Sequence, residues 1–246
     1  MSIESVTPLI IPKKEKLTIG EIASLVISFY KKLASVDSGY NHLSIVSEKK
    51  SLYQSMDIHD VEATEFLVEE IIHQNIDEIR KISDVDSVDH SFSWDRPIQF
   101  ALEPAEDPKL LMILSYAFHT EIRSIAPIIV NEECLDSYSK ARWFLDAARE
   151  SFSVDRSVIK VSTRDFRAVS RKYRAPLGWI NYFSDDSEWQ IPDDLEGIEY
   201  EKVEGGKYLI VSRENIGSSP DQFEAAAKKL ARLMEDLGDR VPRYKK

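Results

Sequence analysis

Apolar positions recur at three- and four-residue steps over Leu17–Leu33, with Ile22, Leu25, Val26, Phe29 and Leu33 on one side and Glu21, Lys31 and Lys32 opposite. That spacing predicts an amphipathic helix. A short strand is expected at His42–Val46, closed by Ser47-Glu48-Lys49-Lys50. Helical period returns over Asp60–Ile79, where Leu67, Val68, Ile71, Ile72, Ile76 and Ile79 share a side. Its acids, Glu62, Glu65, Glu69, Glu70, Asp77 and Glu78, read as a solvated helix face. Ile98, Phe100 and Leu102 then alternate as a half-buried strand does. The turn-rich Glu103–Pro108 leads into the continuous apolar run Leu110–Phe118. This run fits a buried strand, followed by another at Ala126–Val130, although Asp107-Pro108 is also a sound helix start. Leu135–Phe152 is again helical, with Tyr138, Ala141, Leu145, Ala148 and Phe152 as its inward stripe.

The last third is punctuated more sharply. Gly178–Phe183 predicts a strand, followed by a loop crowded with Asp185, Asp186, Glu188, Asp193, Asp194 and Glu196 and holding no Lys or Arg. Ile198–Val203 and Tyr208–Ser212 predict a hairpin, because Gly205-Gly206 supplies the positive φ of a tight turn. A final helix starts at Ser219 as N-cap, with Pro220 in the first turn and Gln222 completing a capping box. Phe223, Ala226, Ala227, Leu230, Leu233, Met234 and Leu237 line it, and Gly238 ends it. The pattern predicts one α+β domain over residues 1–246, with an antiparallel sheet and helices near both termini. Residues 1–16 read as a flexible or extended segment.

Composition narrows the partners more than the fold. A net charge of −11 disfavours nonspecific attraction to nucleic acid or to an anionic membrane, and suits a basic partner. The run Lys160, Arg164, Arg167, Arg171, Lys172 and Arg174, opposed only by Asp165, is best used in pairing with the chain's own acids. The single cysteine, Cys134, excludes an internal disulfide and fits a reducing compartment. The opening MSIESVTPLIIPKKEK lacks a signal-peptide core, and no apolar run approaches the ~18 residues of a membrane span, so a cytoplasmic protein is expected.

Catalytic patterns are scarce. His42, His59, His73, His90 and His119 are scattered, and none forms the i, i+4 pair of a helical zinc site. His119-Thr120-Glu121 starts like a deaminase motif, without the Pro-Cys-x-x-Cys half that chemistry requires. Neither a nucleophile elbow nor a glycine-rich phosphate loop is present, so no cofactor, no metal and no catalytic residue is expected. The competing reading is a metal-dependent nuclease or another enzyme with a dispersed site. Asp37, a strand, and then Glu48-Lys49-Lys50 have the order in which two carboxylates hold Mg²⁺ while Lys50 orients water. An acidic chain makes a poor channel for a phosphate substrate, which weighs against it.

Among the tryptophans, Trp179 after Gly178 suits a packing role, whereas Trp189 lies among carboxylates and reads as an exposed anchor for a basic partner. The strand Gly178-Trp179-x-x-Tyr182, the Pro192 loop, the glycine-turned hairpin and the final helix resemble the C-terminal half of the immunity protein 52 family, over residues 176–238. Members of that family are bacterial proteins that neutralise a partner toxin, often one with a restriction-endonuclease-like fold. The resemblance implies an interaction protein whose partner is a cognate nuclease toxin with a basic active surface. It also implies that Gly178, Trp179 and Tyr182 are scaffold. From the local charge, Asp185, Asp186, Glu188, Trp189, Asp193, Asp194 and Glu196 are the expected contact residues.

Overall fold

The computed structural model describes residues 5–13, 19–46, 55–60, 62, 66, 97–104, 112–118, 123–129, 135, 137–162, 178–187, 189, 198–215, 225, 228 and 229. The chain is α+β, and its strand pairs are antiparallel wherever their register is defined. It divides into two compact units, residues 11–130 with 147–153, and residues 1–10 with 131–146 and 154–246.

In the first unit, helix α1 (Ile19–Val36) buries Val26, Ile27, Phe29, Tyr30 and Leu33, which continues the stripe its spacing predicts. Phe29 meets Tyr30 edge-on at 5.7 Å and Phe152 at 5.4 Å. The Lys32 ammonium donates to Glu150 at 2.8 Å, and this hydrogen bond holds the Glu150 carboxyl below its ordinary value. Strands β2 (His42–Val46), β3 (Ser55–Asp57), β4 (Pro97–Pro104), β5 (Met112–Phe118) and β6 (Arg123–Ile129) run in the order β3-β2-β4-β5-β6. The ambiguous apolar run is thus a strand, with Met112 opposite Ile129 and Phe118 opposite Arg123. The acidic helix expected over Asp60–Ile79 and the final helix expected from Ser219 lie outside the described residues, apart from single helical positions.

In the second unit the order is β1-β7-β8-β10-β9, from β1 (Ser5–Pro12), β7 (Val154–Ser162), β8 (Ile180–Ser184), β9 (Glu199–Val203) and β10 (Gly206–Ile210). β1 occupies part of the segment expected to be flexible or extended. Val6, Pro8 and Ile10 are buried at every second position, the two-residue period of a strand. β8 is buried at every residue, as a strand with neighbours on both sides and cover on both faces must be. Helix α2 (Tyr138–Ser151) contributes residues 138–146 to this unit.

The start of β8 is a close backbone approach. Trp179 N–H donates to Ile159 O at 2.8 Å, and a Cβ on Gly178 would lie 2.2 Å from that same oxygen. No side chain fits there. Asn181, fully buried, closes the corner: its carbonyl accepts from Gly178 N–H at 2.8 Å, and its amide donates to Gly178 O and Leu209 O at 2.9 and 3.2 Å. Trp179, 2% exposed, donates its indole N–H to Ser212 O at 2.7 Å. Gly205 poses a different constraint, since its φ of 76° turns the β9–β10 hairpin while a Cβ there would meet nothing within 4 Å.

The two glycines therefore separate sterics from backbone conformation. Gly205→Ala is expected to cost about 1–2 kcal/mol, the left-handed penalty alone. Gly178→Ala is expected to cost about 3 kcal/mol or more, because backbone must move. Urea midpoints of the two variants check the order, and a larger loss at Gly205 would refute it.

Candidate functional site

The acidic loop leaves β8 at Ser184, and its first turn is tied to the hairpin. Asp185 N–H donates to Gly205 O at 3.1 Å, and Ser187 N–H donates to Ser184 O at 3.1 Å. Tyr182 adds a third tie through its hydroxyl, which donates to Gly205 O at 3.0 Å. Its ring lies so close to the hairpin that a Cβ on Gly206 would come within 2.7 Å of that hydroxyl oxygen. Asp185 and Asp186 are exposed on this turn, and Glu204 is exposed on the neighbouring hairpin turn. Glu188, Asp193, Asp194 and Glu196 lie outside the described residues.

Trp189 requires a correction. The sequence reading sets it out in solvent as an anchor, whereas the indole is only 4% exposed. It stacks on Phe183 at 6.1 Å between centroids and 23° between planes, and the Arg156 guanidinium sits 4.1 Å from its ring centre. Apolar area and a cation–π contact are stronger claims on an indole than the carboxylates beside it in sequence.

A second cluster, on the other face of the hairpin, was not anticipated. Tyr182, Tyr208 and Glu201 stand in one register row across β8, β10 and β9, with the Tyr182 and Tyr208 rings 5.3 Å apart. From α2, Arg142 lays its guanidinium 3.7 Å over the Tyr208 ring. It also donates to Glu201 at 2.8 Å and pairs with Asp146 at 3.1 Å. Burial works against the Arg142 charge, yet Glu201 and Asp146 together hold the guanidinium above its ordinary value. The Tyr208 hydroxyl donates to Asp146 at 2.9 Å; burial and that carboxylate push the phenol up, against the opposing pull of Arg142. Farther out, Arg213 chelates Glu199, reaches Glu201 at 3.2 Å, and stands 5.1 Å from the Tyr138 ring centre. Asn215 completes the tie by accepting from Tyr138 N–H, at the first turn of α2, at 3.1 Å. Only the Arg142–Asp146 spacing was visible in sequence. The rest joins a helix to a hairpin and has no local signature.

Among the described residues neither the metal nor the basic-stretch reading gains a site, and Arg164, Arg167, Arg171, Lys172 and Arg174 lie outside them. Among the described residues no group of three or more His, Cys, Asp or Glu is placed to hold a metal ion. Asp37 instead caps a short 3₁₀ turn, accepting from Gly39 N–H at 2.9 Å, and Glu48, Lys49 and Lys50 lie outside the described residues. Of the basic stretch, Lys160 is half-buried at the end of β7, where burial lowers its ammonium. No helix among the described residues is long and apolar enough to cross a membrane.

Comparison with protein-family models finds no match, and no curated protein matches the chain. Among solved structures, it is similar to a T6SS protein of Pseudomonas aeruginosa. The TM-score is 0.48 at 7% identity, over 96% of this chain and 73% of that one.

The Tyr208 hydroxyl gives the second cluster a measurable signature. Removing a hydrogen bond to a carboxylate costs about 1.5–3 kcal/mol, so Tyr208→Phe is expected to lose that much in chemical denaturation. The raised phenol also fixes a sign with pH. Its stabilising contribution is complete below the unfolded value of about 10 and is lost as pH rises beyond it toward the folded value. Stability of the parent protein should therefore fall above pH ~10, less steeply in Tyr208→Phe. Parallel alkaline profiles would show that the phenol does not titrate against folding.

Proposed function

We propose that this chain is an immunity protein that binds a cognate secreted bacterial toxin, a nuclease, and neutralises it by covering its basic active surface. One observation carries the reading: Asp185 and Asp186 stand exposed on a turn tied to the hairpin at Gly205. This turn lies within the segment whose Gly178, Trp179 and Tyr182 motif resembles the immunity protein 52 family. A nuclease must attract a polyanion, so its working face is basic, and a protein of net charge −11 is drawn to that face over long range. Rigid presentation matters as much as charge, because acids fixed before encounter need no ordering on binding. The Gly178 corner and the Arg142–Tyr208 cluster serve the reading as scaffold, holding β8, the hairpin and α2 to one another. On this reading the protein acts in the cytoplasm of the toxin-producing cell and its kin, performs no reaction of its own, and needs no cofactor.

The direct test uses the toxin domain encoded beside this gene. Co-expression should rescue cells from that domain, and the purified proteins should form a complex. Reversal of Asp185 and Asp186 to Lys should slow association at least about tenfold at low salt and flatten its salt dependence, while leaving the melting temperature nearly unchanged. Equal rates for parent and variant would move the contact surface elsewhere.

The competing enzymatic reading has its own test. Purified protein with Mg²⁺ or Mn²⁺ is expected to leave DNA and RNA intact in a gel assay. Cleavage that disappears on Lys50→Ala would replace the immunity reading with a nuclease.

A further inference from the structure

The turn that displays Asp185 and Asp186 is stitched to β8 and the hairpin at its start, but the chain leaving it needs a second fixed point. Trp189 provides one. Arg156 of β7 and Phe183 of β8 are register partners, so their side chains start next to each other on one face of the sheet. The Trp189 indole is laid against both, 6.1 Å from the Phe183 centroid and 4.1 Å from the Arg156 guanidinium carbon. The Trp189 backbone N–H donates to Ser187 Oγ at 3.3 Å, and Ser187 N–H in turn donates to Ser184 O at 3.1 Å. The segment from Ser184 to Trp189 is thereby closed at both ends. Backbone bonds hold the front, and an indole in contact with both an aromatic ring and a cation holds the back.

We propose that the Arg156–Trp189–Phe183 stack is a pin that fixes how Asp185 and Asp186 are presented, so that Trp189 is a positioning residue and not a contact. The consequence for the toxin rests on the immunity reading. The pin itself does not. An indole 4% exposed has almost no surface to give a partner, yet it determines how freely the turn moves. Pinning raises the fraction of molecules whose turn is already in the binding geometry, and apparent affinity scales with that fraction. Its loss is felt in association, because an unpinned turn meets the partner in the wrong arrangement more often. The cationic layer matters too. Arg156 lies over the indole ring, so a neutral residue there would remove the cation and leave the Phe183 contact in place.

Hydrogen exchange on the full chain tests the pin without any partner. In Trp189→Ala the amides of Ser187 and Trp189's replacement should exchange at least about tenfold faster, while those of Trp179 and Val211, bonded within the same unit, keep their rates. Trp189→Phe, which keeps a ring for Phe183 and Arg156, should restore most of the protection, and Arg156→Gln should show an intermediate loss. With the toxin domain, Trp189→Ala should associate about tenfold more slowly, and Trp189→Phe should recover the parent rate. Three results overturn the proposal: unchanged exchange at Ser187, acceleration that spreads equally to Trp179 and Val211, or local loosening with no change in association. If the parent protein itself fails to bind the toxin, the immunity reading fails, and the exchange pattern still decides the pin.

Discussion

The corner at Gly178 is the constraint on which the hairpin side of this protein depends. A carbonyl of β7 occupies the space where a side chain would begin, and the neighbouring Trp179 uses that same carbonyl as its hydrogen-bond acceptor. Once the backbones approach that closely, Asn181 satisfies both polar groups of Gly178 and one of Leu209. A buried amide with every partner in place stabilises one arrangement and penalises the alternatives, since a slipped strand would leave it among apolar groups. The register of β8 against β7 and β10 follows from this. So do the positions of Tyr182 over the hairpin and of Phe183 beneath Trp189.

Two faces of this part of the sheet then do different work. One carries Tyr182, Tyr208 and Glu201 toward Arg142 and Asp146 of α2, where charge is paired, stacked and mostly withdrawn from water. Such a network is expensive to assemble and damaging to break, which suits a joint between a helix and a hairpin. The other face carries Phe183 and Arg156, which receive the chain as it leaves the Asp185 turn. Asp185 and Asp186 stand exposed at that turn, whereas the charge at the α2 joint is paired and holds elements in place.

Local pattern was enough for much of the fold. α1, β2, β4, β5, α2 and the β9–β10 hairpin lie where period, alternation and the Gly205 turn put them. Physical reasons account for the omissions. β1 begins among Pro and Ser, so its alternation of Val6, Pro8 and Ile10 is masked by residues that usually mark loops. β7 mixes Asp155, Arg156 and Lys160 into its apolar positions, and the eye is drawn to the basic run beyond it. Gly178 and Tyr182 could be singled out from sequence, but what they touch could not. Trp189 was misplaced for the same reason: its neighbours in sequence are acids, while its neighbours in space come from β7 and β8.

β9 is the last strand in its sheet order, and its residues Glu199, Glu201 and Lys202 are charged. A terminal strand is the natural template for unwanted sheet extension, and natural proteins discourage this by lining it with charge. Here Arg213 and Arg142 hold Glu199 and Glu201 in place, so those carboxylates cannot easily swing aside to admit a stranger's backbone. The ion pairs that fasten the hairpin thus also keep charge along that outer strand. A terminal strand lined with held charge is a poor template for self-association.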